Sequence, residues 1–186
     1  MRVIAGKFKG RRLTTLKNMI ARPTPDRVKE SIFSILQKKI INARFLDLCA
    51  GTGNIGIEAL SRGAKQVTFL EQNLKCLRLI KQNLQACGLD ANNPQVQLIQ
   101  ADVTKGINIL HKRSETFNLV YFDPPYDAEL YNKCLSHISD TCILESTGML
   151  LVEHSKRTVL ALNFGLLTCD RQKQYGDTCL SFYRHL

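Results

Sequence analysis

From Ala43 to about residue 155 the chain alternates short apolar runs with amphipathic stretches, and this alternation leaves few folds open. ARFLDLCAG reads as a strand that runs into glycines, and NIGIEALSRG as a helix stopped by Gly63. QVTFLEQ, VQLIQAD, FNLVYF and GMLLVEH continue the strands. NLKCLRLIKQNLQACG, VTKGINILHK and AELYNKCLSHI supply the helices between them. Upstream, RPTPDRVKESIFSILQKKI predicts a further helix, with Thr24 as its cap, Pro25 in its first turn and Asp26 at the positive end of its dipole. β-α units with short connections imply a parallel sheet covered by helices on both faces. The tail, LLTCDRQKQYGDTCLSFYRHL, instead reads as two strands around a turn at Tyr175-Gly176-Asp177, an antiparallel hairpin. The expected fold class is therefore α/β: a mostly parallel seven-stranded sheet with a C-terminal antiparallel hairpin. The expected division is a basic N-terminal extension over residues 1–24 and a single α/β domain over residues 25–186.

Ligands of such sheets bind beyond the carboxyl ends of the strands. The residues there are Asp47, Glu71, Asp102 and Asp123, and every one is acidic. Between the first strand and its helix lies Gly51-x-Gly53-x-x-Gly56, with Glu71 twenty residues past Gly51. Taken alone, that pattern fits a dinucleotide as well as any other nucleotide-like ligand. Asp47 separates the two, because a carboxylate at the strand mouth repels a diphosphate and attracts a ligand carrying an ammonium and a sulfonium. S-adenosylmethionine is such a ligand. Glu71 would take its ribose hydroxyls, Asp102 its adenine amino group, and the Val103 backbone N–H the ring. The candidate cofactor set is Asp47, Ala50, Gly51, Gly53, Asn54, Glu71, Gln72, Asp102 and Val103. An acid at a strand end can also simply cap the next helix.

The fourth strand ends in Asp123-Pro124-Pro125-Tyr126. Pro124 holds Asp123 extended, and two prolines make a rigid elbow without backbone donors. The elbow offers only acceptors, the Asp123 carboxylate and the Pro124 carbonyl, which suits an exocyclic NH₂. Hydrogen bonds that hold both hydrogens aside favour a pyramidal nitrogen with its lone pair aimed at a methyl sulfonium. Tyr126 would give the base a flat face for stacking.

The net charge of +10 is concentrated. Residues 1–30 carry nine lysines and arginines against two acids, a balance of +7, and the other 156 residues carry only +3. A basic end with Val3, Ile4, Phe8 and Leu13 interleaved points to a folded polyanion contact. No apolar run approaches the length that crosses a bilayer, and the N-terminus lacks a signal-peptide core. A cytoplasmic protein without membrane contact is expected. The seven cysteines include no C-x-x-C, and the four histidines have no ligand spacing, so free thiols and no metal are expected.

Asp123-Pro124-Pro125-Tyr126 resembles the (D/N)PP(Y/F) motif of methyltransferases acting on amines of adenine, cytosine or guanine, and DLCAGTG resembles their methyl-donor loop. With MRVIAGKFKGRRL, RPTPDRVKESIF, GIEALSRGA and YGDT, essentially the whole chain resembles the RsmD-type 16S ribosomal RNA guanine-N2 methyltransferases of bacteria. The family's LFAGSG stands here as LCAGTG, which keeps both glycines. The resemblance implies a Rossmann-like class I methyltransferase fold and S-adenosylmethionine as methyl donor. It implies one guanine of 16S rRNA as target (guanine 966 in the family), on the 30S subunit or its assembly intermediate. It also implies the roles argued above for Asp47, Glu71, Asp102, Asp123 and Tyr126. Arg2, Lys7, Lys9, Arg11, Arg12, Arg22 and Arg27 would then grip rRNA phosphates, with Arg22 and Arg27 nearest the pocket; a monomer is expected. The four-residue motif alone leaves other RNA or DNA adenine targets open. A nicotinamide-dependent oxidoreductase and a non-catalytic rRNA-binding assembly protein are the other classes considered.

Overall fold

The computed structural model describes residues 1–16, 26–90, 92–125 and 128–185. In chain order the elements are α1 (Asp26–Leu36), β1 (Arg44–Asp47), α2 (Asn54–Ser61), β2 (Gln66–Glu71), α3 (Leu74–Ala86), β3 (Val96–Gln100), α4 (Val103–Lys112) and β4 (Phe117–Phe122). They continue with α5 (Ala128–Thr141), β5 (Leu144–Ser155), β6 (Asn163–Phe164), β7 (Leu167–Tyr175) and β8 (Thr178–His185). One sheet contains all the strands in the order β3-β2-β1-β4-β5-β8-β7-β6. The first five strands pair in parallel, whereas β8, β7 and β6 join antiparallel. Strand order reverses between β1 and β4, so the ligand crevice of this topology opens beyond Asp47 and Asp123.

The sheet has eight strands where seven were expected. The addition, β6, is two residues long and turns back on Leu167 and Thr168 through Gly165, whose φ is 54°. A two-residue strand has no period for sequence reading to find. The helix expected from residue 25 to residue 40 also ends early. Gln37 takes a φ of 34°, and Gln37–Ile40 tighten into a 3₁₀ turn. Thr24 and Pro25 lie outside the described residues.

Two apolar layers sandwich the sheet. On one face α1, α2 and α3 pack Ile32, Phe33, Ile57 and Ile80 against Phe45, Phe69, Leu119 and Leu151. On the other, α4 and α5 pack Ile107, Leu110, Tyr131 and Leu135 against Leu46, Leu70, Val120 and Leu150. The side-chain alternation of each strand divides it between the two layers. Burying each of these large side chains contributes roughly 1.5–3 kcal/mol.

The basic N-terminus folds back on itself and onto the first layer. Val3 donates its N–H to the Arg11 carbonyl, Gly10 to Val3 and Leu13 to Met1, each at 2.9 Å. Val3, Phe8 and Leu13 are buried in the core that α1 and α2 share, while Lys7, Lys9, Arg11 and Arg12 remain exposed. Apolar residues hold this arm down and leave its cations outward.

Candidate active site

The site is built around the turn that joins β1 to α2. Gly51 and Gly53 have φ values of 54° and 79°, a conformation costly for any side chain with a Cβ. Gly56 meets a different need. A Cβ there would lie 2.2 Å from Cε1 of Phe69, so its absence lets α2 settle close on β2. Glu71 pins the turn, its Oε2 accepting the Gly51 N–H at 2.8 Å while Oε1 accepts the Asn73 N–H at 2.8 Å. Asp47 is almost wholly buried, and its Oδ2 accepts the Gly56 N–H at 3.0 Å. Burial pushes the Asp47 carboxyl up to about 7, against the pull of the Gly56 hydrogen bond and with a further push from Glu71.

Asp123 follows β4 directly and is partly buried. Burial drives its pKa well above the usual carboxylate range, and the charges of Glu153 and Asp47 add to the rise. Glu153 was not anticipated from sequence. Phe122 pairs with Val152 across β4 and β5, so Asp123 and Glu153 come next on adjacent strands. Glu153 accepts a 2.5 Å hydrogen bond from the Tyr121 hydroxyl, and its backbone carbonyl accepts one from Tyr131 at 3.0 Å. The signal was available in GMLLVEH, where an acid near the end of the fifth strand continues the row of carboxylates. Cys49 lies near three of these acids. Its thiol is pushed well up by burial and then by Asp123, Glu71 and Asp47 in turn.

Other candidates have different surroundings. Asp102 lies two residues beyond β3 and caps α4, accepting the Lys105 N–H at 3.0 Å and pairing with Lys105 Nζ at 3.2 Å. The Lys105 backbone hydrogen bond holds its carboxyl below the usual range. Val103, partly exposed, opens α4, and Gln72 is exposed beside Glu71. Ala50 is buried and donates its N–H to the Leu70 carbonyl at 3.0 Å. The Asn54 side chain is engaged by Lys29, whose Nζ donates to its Oδ1 at 2.8 Å. Pro124 is buried and Pro125 exposed, while Tyr126 lies outside the described residues.

Among the basic candidates, Arg27 is exposed, Arg2 lies 3.9 Å from Asp26, and Arg22 is outside the described residues. Lys29 counts toward the basic end in sequence but is fully buried. Its Nζ donates to the Arg2 carbonyl at 2.7 Å and pairs with Glu58 at 3.3 Å. Burial lowers its pKa, with the Glu58 charge opposing. Among the described residues there is no cluster of three or more His, Cys, Asp or Glu side chains that could hold a metal. No described helix is long and apolar enough to cross a membrane.

The carboxylates around Cys49 suit a cationic ligand, and the acid at the mouth of β1 opposes a diphosphate. Comparison with known proteins agrees with the resemblance carried by the motifs. The family model described as conserved hypothetical protein 95 matches residues 1–184. The chain belongs to this family, the RsmD type. It is 35% identical over 184 residues to YlbH of Bacillus subtilis, provisionally named an rRNA methyltransferase, covering 99% of this chain and 98% of that one. It is 35% identical to the ribosomal RNA small subunit methyltransferase D of Haemophilus influenzae, over 84% of this chain and 79% of that one. Among solved structures, yhhF of Escherichia coli, provisionally titled a methyltransferase, superposes with a TM-score of 0.84 at 26% identity, covering all of this chain and 97% of that one. The Rossmann-like methyltransferase fold expected from the motifs is therefore the fold of this chain.

Proposed function

We propose that the chain transfers a methyl group from S-adenosylmethionine to the exocyclic N2 amine of a guanine in 16S rRNA, on the 30S subunit or an intermediate of its assembly. The observation that carries this reading is the convergence of Asp47, Glu71 and Asp123 on Cys49, beside the pinned glycine turn. The printed names of the curated relatives support rRNA of the small subunit as the substrate class. The family resemblance supports guanine N2, and guanine 966 within it.

When bound, S-adenosylmethionine supplies an electrophilic methyl on a positively charged sulfur. Asp47 and Glu71 would hold its ammonium end and its ribose, with Gly51 and Gly53 allowing the close approach of backbone. Asp102 and Val103 would meet the adenine. The Asp123 carboxylate and the Pro124 carbonyl would accept the two amine hydrogens, and Tyr126 would stack on the base. These acceptors would hold the amine nitrogen in line with that methyl, and the Asp123 carboxylate or a water molecule would take the proton that the amine loses. Positioning and fixed acceptors provide most of the acceleration. Lys7, Lys9, Arg11 and Arg12, exposed on the arm, would hold rRNA phosphates together with Arg2, Arg22 and Arg27. We take the acting form to be a cytoplasmic monomer that needs no metal.

The test is incubation with labelled methyl donor and small ribosomal subunits from cells lacking this protein, followed by nucleoside analysis. Labelled N2-methylguanosine is expected. Label on another nucleoside, or none on any RNA, would overturn the proposal.

A further inference from the structure

We propose that the outward face of α3 is a second binding surface for RNA phosphates, continuous with the N-terminal arm and leading from it to the mouth of the site. The inference rests on the rRNA reading above. The sequence of α3, LKCLRLIKQNLQA, contains three cations and no acid. Cys76, Leu77, Ile80, Asn83 and Leu84 take the buried side, which leaves Lys75, Arg78 and Lys81 exposed. At 3.6 residues per turn these three lie within a sector of about 120° and span about 9 Å of helix.

Several other cations of the domain have acidic partners. Arg44 pairs with Glu115, Arg62 with Glu58, Lys105 with Asp102, Lys156 with Asp177 and Arg184 with Asp170. Among the described residues Lys75, Arg78 and Lys81 form no ion pair, and the same holds for Lys7, Lys9, Arg11 and Arg12 on the arm. The two sets adjoin. Asn83 on α3 bonds both backbone groups of Thr14 on the arm, and Arg11 lies close enough to act on the Cys87 thiol at the end of α3. At its other end α3 is capped by Asn73, whose N–H is held by Glu71. The arm thus meets α3 along its buried edge, and on the outward face Lys81, Arg78 and Lys75 lead along the helix to the rim where Glu71 pins the glycine turn. The positive end of the α3 dipole points to that rim as well. A row of uncompensated cations along one helix complements a phosphate backbone and carries no sequence information, which suits holding a strand whose target base is read elsewhere.

The experiment compares two triple variants of the full chain, K75E/R78E/K81E on α3 and K9E/R11E/R12E on the arm. Fluorescence anisotropy would follow a labelled small-subunit rRNA fragment across a salt series, with calorimetric S-adenosylmethionine binding and the thermal midpoint as controls. The α3 variant is expected to lose about tenfold or more in RNA affinity at low salt. Its log–log salt slope should be shallower by about 2–3, roughly one released counterion for each cation removed. Methyl-donor affinity and thermal midpoint should stay at the wild-type values, and K75R/R78K/K81R should restore RNA binding. A wild-type affinity and slope in the α3 variant, with the arm variant impaired, would refute the α3 surface and leave the rRNA reading standing. Failure of the wild-type chain to bind the fragment at all would remove both.

Discussion

Asn83 accepts the Thr14 N–H at 2.7 Å and returns a hydrogen bond from its own amide to the Thr14 carbonyl at 3.0 Å. The same amide donates to the Thr52 carbonyl at 2.9 Å, between the two glycines of the turn. One buried side chain thus ties the basic arm to the turn of the candidate cofactor site. Asn83→Ala would leave one N–H and two carbonyls unpaired, each costing on the order of 1–3 kcal/mol if it stays dry. We expect faster tryptic cleavage at Lys7–Arg12 together with weaker S-adenosylmethionine binding. Loosening of the arm with wild-type donor affinity would show that Asn83 does not link the two.

Asp47 should make donor binding depend on pH. Its folded pKa of about 7 lies above the ordinary 3.8. Between those values the folded chain binds more protons than the unfolded one, so this group lowers stability as pH rises through that window. A cationic donor favours the ionised form, so S-adenosylmethionine binding should release a proton below pH 7 and tighten toward alkaline pH. Calorimetry in buffers of different ionisation enthalpy would count that proton. Asp47→Asn should flatten the pH dependence of binding and raise the stability of the free protein near neutrality by a few kcal/mol, about 1.4 kcal/mol per unit of pKa.

Periodicity carried the fold. QVTFLE, FNLVYF and the amphipathic α3 follow from side-chain alternation and helical spacing, and both are local properties. The acidic strand ends at Asp47, Glu71 and Asp123 were legible for the same reason, because each comes where an apolar run stops. What could not be read was long-range pairing. Lys29 looks like one more cation of a basic tail, yet Glu58, Asn54 and the Arg2 carbonyl bury it. Nothing in NLQAC indicates that Asn83 reaches Thr14, sixty-nine residues away. Asp102, by contrast, caps α4 through the Lys105 N–H, the local role open to any acid at a strand end. Glu153 stands two residues before the end of β5, so it does not mark a strand end in the way that Asp47 and Glu71 do.

Asp123→Ala should separate binding from chemistry. The carboxylate is assigned to the amine rather than to the donor, so S-adenosylmethionine affinity should fall little, whereas removing a fixed acceptor costs about 10²–10³ in turnover. Single-turnover assays with small ribosomal subunits would measure this. Asp123→Asn keeps an amide oxygen that can accept the amine hydrogen, in line with the Asn that the motif admits here, and should be less impaired than Asp123→Ala. Because Glu153 raises the Asp123 pKa, Glu153→Gln should shift the rising acid limb of the rate profile to lower pH. An unmoved limb would remove Asp123 from the group titrating there.

Glu58 is the anchor of the arm. Its carboxylate accepts the Ile4 N–H at 2.8 Å, the Ala5 N–H at 3.0 Å and Arg62 Nε at 2.8 Å, and it pairs with the buried Lys29 at 3.3 Å. Glu58→Ala would leave Lys29 charged and uncompensated in the core, a change that costs about 3–5 kcal/mol. The Lys29 pKa already lies below 10.5, so the folded chain sheds that proton before the unfolded chain does. Between the folded value and 10.5 this group therefore adds stability as pH rises. Losing Glu58 widens the window downward, so urea unfolding of the Glu58→Ala variant should recover part of its loss as pH is raised. Lys29→Met in the same background should recover it at neutral pH by removing the charge. If the double variant were as unstable as the single one, the loss would lie in the arm's Ile4 and Ala5 amides rather than in the buried charge, and proteolysis at Lys7 should then be rapid in both.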